Sequence, residues 1–96
     1  MNEGTRVLRK RQEIVTRRVA GETLLIPIRG KLADLQRIFA LDPVAEHVWE
    51  RLDGVADLDA VRRSVLAAFD VGEEQAGRDI AEFVAALESA GLVESV

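Results

Sequence analysis

The hydrophobic period of this chain changes once, at Leu41-Asp42-Pro43, and that change limits the fold more than any other feature. Upstream, EIVTRRVAGETLLIPI is rich in β-branched and aliphatic residues around Ala20-Gly21. Ile14, Thr16 and Arg18 alternate with Val15, Arg17 and Val19, as on a strand with two unlike faces. Gly21 supplies the backbone freedom of a hairpin turn. A second strand is expected from Glu22 to Ile28, with Pro27 at a sheet edge or strand end because it cannot donate a ladder hydrogen bond. RGKLADL reads as a loop, and Gln36 to Leu41 as a third strand.

Downstream the period becomes helical. Asp42 can cap the orphan amides of a first turn, and Pro43 fits the first helical position. Val44, Val48 and Leu52 form one i, i+4 row, with Ala45 and Trp49 on the adjoining row, and Asp53-Gly54 is the expected stop. Asp57 caps a second helix whose buried stripe is Leu58, Val61, Val65, Ala68 and Phe69. A third helix is expected from Glu73 to Ala90, with Ala76, Ile80, Phe83, Val84 and Leu87 on its apolar face. Glu73 and Glu74 suit its dipole, and Gly91 followed by Leu92 closes it. The expectation is an α+β, winged-helix-like domain: a three-stranded antiparallel sheet followed by three helices. It would span residues 12–96, with residues 1–11 a basic, flexible arm.

At 96 residues, 48% of them hydrophobic and 31% charged, the chain suits one folded domain. It has no cysteine, which removes disulfides, zinc–thiolate sites and thiol catalysis. This fits the cytoplasm. The start lacks an apolar signal-peptide core, and no apolar run reaches the roughly 18 residues of a membrane span. The net charge of −4 hides an asymmetry. Residues 1–31 carry eight Lys or Arg against three Asp or Glu, whereas residues 32–96 carry five against fourteen. A basic front suggests an acidic partner; the bland account is solvated sheet edges.

Catalysis finds little support. His47 is the only histidine, set between Glu46 and Glu50 and off the apolar stripe of its helix, so it is expected to face solvent. One histidine with carboxylates makes a poor transition-metal site, and no phosphate-binding glycine loop is present, so neither metal nor cofactor is expected. Trp49, the only tryptophan, is expected to join the first helix to the sheet. DNA binding needs a basic reading helix. The third helix instead sets Glu73, Glu74, Asp79, Glu82 and Glu88 against Arg78 alone, which argues against nucleic acid. A small open sheet offers unpaired amides and carbonyls to an extended peptide, or to a second copy in a homodimer. Gly77, inside the third helix, could mark a close backbone approach or simple tolerance.

The order of Gly21-Glu22-Thr23-Leu24-Leu25, Leu41-Asp42, Trp49 with Leu52-Asp53-Gly54, and Leu87 with Gly91-Leu92 resembles the pyrroloquinoline-quinone synthesis protein D (PqqD-like) family, over about residues 12–95. The resemblance implies a RiPP recognition element. Such a non-catalytic module binds the leader of a ribosomally synthesised precursor peptide by strand addition. It presents that peptide to a modifying enzyme, often a radical-SAM protein. Mapped here, the docking edge is Gln36, Arg37, Ile38, Phe39 and Ala40, and the groove residues come from Ala76, Asp79, Ile80, Phe83 and Ala86. Asp42 stands where the family carries Asn and caps equally well. The loop from Arg29 to Leu35 is longer than the family's usual tight turn, which points to a related peptide pathway rather than the quinone precursor. The alternative in another class is a winged-helix DNA-binding or transcription-related protein; a third is a scaffold subunit or the remnant of a fused domain.

Overall fold

The computed structural model describes residues 3–11, 14–29, 32–33 and 38–96. A 3-10 turn, Glu3–Thr5, leads into β1 (Val7–Lys10). A hairpin of β2 (Ile14–Val19) and β3 (Glu22–Arg29) follows, then β4 (Leu32–Ala33) and β5 (Phe39–Leu41). Beyond the period change come α1 (Pro43–Glu50), β6 (Asp53–Asp57), α2 (Leu58–Ala68), α3 (Glu73–Ser89) and β7 (Val93–Ser95).

The α+β class stands, but the strands form two antiparallel sheets and do not all precede the helices. In one sheet β1 lies between β6 and β7. In the other, β3 pairs with β2 on one side and with both β4 and β5 on the other. The hairpin turn sits at Ala20 and Gly21, both at positive φ (52° and 82°), with Val19 opposite Glu22. That is the two-residue turn whose twist matches the strands it joins. Part of the expected loop RGKLADL is a strand: Leu32 pairs with Arg29 and Ala33 with Ile28.

Of the basic arm expected at residues 1–11, residues 3–11 are described, and Val7–Lys10 are built into a sheet as β1. Leu8 is fully buried, and β1 is the middle strand of its sheet. The Arg6 carbonyl accepts from the Leu58 amide at 2.9 Å, the Arg11 amide donates to the Leu92 carbonyl at 2.9 Å, and the Val96 amide to the Val7 carbonyl at 2.9 Å. These bonds fasten the start of the chain to α2 and to its end.

The helix starts are local events. The Asp42 carboxylate accepts from the Ala45 amide, and the Asp57 carboxylate from the Ala60 amide, each at 2.8 Å. Asp53-Gly54 does not merely stop α1. The Asp53 carboxylate accepts from the Val55 and Ala56 amides at 2.9 and 3.0 Å. With Gly54 at φ 82°, this turns the chain into β6. Those amides hold the Asp53 carboxyl below its ordinary pKa. Gly91, at φ 75°, reverses the chain after α3, and Leu92 is fully buried beyond it.

The core lies between the sheets and the helices. Leu8, Leu25, Leu52, Val61, Val65, Val84 and Leu87 meet there with 1% exposure or less. Part of the charge asymmetry along the chain is paired off in space. Arg6 pairs with Glu88 at 2.6 Å, Arg9 and Arg11 with Glu94 at 2.5 and 3.2 Å, and Arg18 with Glu46 at 2.9 Å. Pairs this exposed contribute about 0–1 kcal/mol each. Among the described residues, no helix is long and apolar enough to cross a membrane.

Candidate functional site

The two rare side chains of α1 are structural. Trp49 is 6% exposed, and the Lys10 ammonium lies 4.8 Å from its ring centroid while donating to the Leu52 carbonyl at 3.1 Å. Trp49 thus ties α1 to β1 rather than to the hairpin sheet alone. Burial lowers the Lys10 pKa, with Asp53 and Glu50 opposing the shift. His47 does not face solvent as expected. Its Nε2 shares a 2.7 Å hydrogen bond with the Ser64 hydroxyl, and its ring meets Phe69 edge-on at 5.3 Å. The sequence could not show that α2 packs against this side of α1.

A serine beside a histidine invites a catalytic reading. Here the pair bridges two helices and lines none of the clefts described below. Partial burial, and Arg51 nearby, lower the His47 pKa. The unfolded chain, with a histidine near 6.5, therefore binds the proton more readily than the fold does. Stability contributed by His47 is present above pH about 6.5 and is lost as pH falls below that value. Urea midpoints at pH 7.5 and 5.5 should show this loss, and His47→Gln should flatten it. An unchanged slope in that variant would contradict the assignment.

A recess with an apolar floor lies between α1 and α3, a cleft of about 440 Å³. α1 contributes Asp42, Val44, Ala45 and Val48; α3 contributes Asp79, Ile80, Glu82 and Phe83. α1 starts one residue beyond β5, because Asp42 caps the helix directly after Leu41. The cleft therefore opens beside the end of β5. That strand pairs with β3 through Phe39, Ala40 and Leu41 (opposite Leu25, Leu24 and Thr23), and no other described strand pairs with it. Ile38, 39% exposed, precedes it.

Of the residues expected from sequence, Ile38, Phe39 and Ala40 lie on or next to this edge; Gln36 and Arg37 lie outside the described residues. Asp79, Ile80 and Phe83 line the cleft. Ala76 does not: at 2% exposure it belongs to the core, one turn before Ile80 on the inward stripe of α3. Ala86 is exposed but outside the lining. The α1 wall was missed. Its Val44/Val48 row is legible in the sequence as an apolar stripe, but a stripe alone does not mark a cleft wall.

Two other recesses are more ordinary. One of about 480 Å³, bordered by Lys10, Thr16, Arg18, Thr23, Glu46, Trp49 and Glu50, has its central carboxylate occupied. Glu46 accepts from Arg18 at 2.9 Å and from the buried Thr23 hydroxyl, which ties the hairpin to α1. A smaller one, about 150 Å³, lies beside Gly77 against Leu58, Asp59 and Arg62. A methyl group at Gly77 would come no nearer than 4.0 Å to the Arg62 side chain, so no close backbone approach demands glycine there. Among the described residues, no group of three His, Asp or Glu is placed to hold a metal ion.

The model of one protein family, Coenzyme PQQ synthesis protein D (PqqD), matches residues 22–93. No curated protein and no solved structure matches the chain.

Proposed function

Because the chain belongs to the coenzyme PQQ synthesis protein D family, we propose that it is a non-catalytic module. It binds the leader of a ribosomally made precursor peptide and presents that peptide to a modifying enzyme of the radical-SAM kind. The observation that supports this reading is that β5 pairs only with β3 among the described strands, and that the α1/α3 cleft begins at Asp42, the residue next to its end. An extended peptide laid along β5 would satisfy its outward amides and carbonyls. Alternate side chains would then drop between the helices. At about 3.3 Å per residue the three-residue strand holds only a short stretch of peptide. Most of the affinity must therefore come from apolar side chains entering the cleft.

We assign the Ser64–His47 pair no part in this role, since it joins α1 to α2 and borders none of the three recesses described above. DNA binding is the weaker account. The acids of α3 include two on the cleft itself, and a polyanion would be repelled there.

The test is an NMR titration of the labelled domain with a short precursor peptide encoded beside its gene. Amide shifts should concentrate at Ile38–Ala40, Val44, Asp79, Ile80 and Phe83, and leave Ser64 unmoved. No shifts at high micromolar peptide, or steeply salt-dependent retention on duplex DNA, would reject the reading.

A further inference from the structure

We infer that the segment seated in the α1/α3 cleft is apolar and cationic: an extended peptide whose hydrophobic anchors are flanked by Lys or Arg. This rests on the peptide-binding reading above and specifies its ligand. The cleft has an apolar floor, and its three charged lining residues, Asp42, Asp79 and Glu82, are all acids. No cation among the described residues pairs with any of them. The contacts they do make are with neutral groups of their own helices. Asp42 accepts from the Ala45 amide at 2.8 Å, and Asp79 from the Gln75 side-chain amide at 2.7 Å. The nearest cation in sequence, Arg78, donates to the Gln75 side-chain oxygen Oε1 at 3.1 Å.

Four of the eight basic residues that give the front of the chain its positive charge are committed elsewhere. Arg6, Arg9, Arg11 and Arg18 are held by Glu88, Glu94 and Glu46. The linear charge pattern suggests an acidic ligand, but the folded charge distribution at the cleft selects the opposite sign. Like charges brought to an apolar, partly desolvated groove are rejected, and opposite charges speed encounter and fix register.

The test uses a random 12-residue peptide library displayed on phage. It is selected against the wild-type chain, against Asp79→Lys/Glu82→Lys, and against Asp70→Lys/Glu74→Lys. The last pair is exposed and off the cleft but changes net charge equally. Circular dichroism checks that both variants fold. Wild type and the off-cleft variant should enrich peptides with apolar residues flanked by Lys or Arg. The cleft variant should lose that preference. It should bind the wild-type clones about tenfold more weakly at low salt, a gap that closes as salt screens the pairs.

Equal loss in both variants would overturn the inference, because net charge and not the cleft would then set the bias. Apolar peptides without charge bias that still shift Val44, Ile80 and Phe83 would overturn it while leaving peptide binding intact. No enrichment on any of the three proteins would overturn the peptide-binding reading as well.

Discussion

A chain lacking residues 1–11 is expected not to fold, although those residues read from sequence as a basic, flexible arm. Removing β1 takes the middle strand from its sheet and leaves the facing edges of β6 and β7 without partners. It also empties the space filled by Leu8, which is 0% exposed. Leu8→Ala alone should cost about 2–5 kcal/mol through lost transfer energy and the residual cavity. Against a net stability of about 5–15 kcal/mol for a small domain, the full deletion is decisive. The polar cost adds to this: the Leu58 amide loses the Arg6 carbonyl, and Trp49 loses the Lys10 ammonium over its ring. Urea denaturation followed by far-UV circular dichroism decides the matter. A deletion variant with a native spectrum and a midpoint near wild type would show that β1 is not structural. The point is practical, since the family match begins at residue 22, beyond both β1 and β2.

The second large effect is expected at the cleft. Phe83→Asp should weaken binding of the precursor peptide by at least about 50-fold, because it removes an aromatic anchor from a recess of this kind. It also adds a carboxylate beside Asp79 and Glu82. Phe83 is half-buried and packs against the core, so this variant should also lose about 1–3 kcal/mol of stability. Ala45→Leu separates the two causes. It keeps a good helix former on α1 and crowds the cleft floor from the opposite wall. Binding should fall about tenfold or more, with the urea midpoint close to wild type. Isothermal titration read beside the urea curves decides between them. Unchanged affinity in a folded Ala45→Leu protein would place the peptide elsewhere.

Much of the architecture was legible because its signals act over one helical turn or one hairpin. Asp42 and Asp57 bond amides three residues ahead, and both helices start where those caps predicted. The stripe of α3 fell at Ala76, Ile80, Val84 and Leu87, as its spacing required. Three of the eight residues that line the cleft, Asp79, Ile80 and Phe83, are named from sequence for the same reason, since they lie at helical spacing beside that stripe. Ala76 lies in the core and outside that lining, because an i, i+4 row names a face but not where that face turns from core to cleft. That limit is set by the neighbouring helix.

What the sequence by itself determined is the order and type of the long elements, the turn at Ala20-Gly21, the caps, and the break from strand to helix at Leu41-Asp42-Pro43. Each depends on residues a few positions apart, so the chain carries the information locally. Only the tertiary structure decided that β1 joins β7, pairing Leu8 with Ser95 across nearly the whole chain. It also decided that His47 is held between α1 and α2, and that the cleft beside β5 is walled by α1 and rimmed with acids. Strands of three to five residues leave no periodicity to read. Electrostatic sign at a surface depends on which charges folding brings together. Here four basic residues from the front of the chain are matched against acids far along it, and the cleft keeps a negative rim of its own.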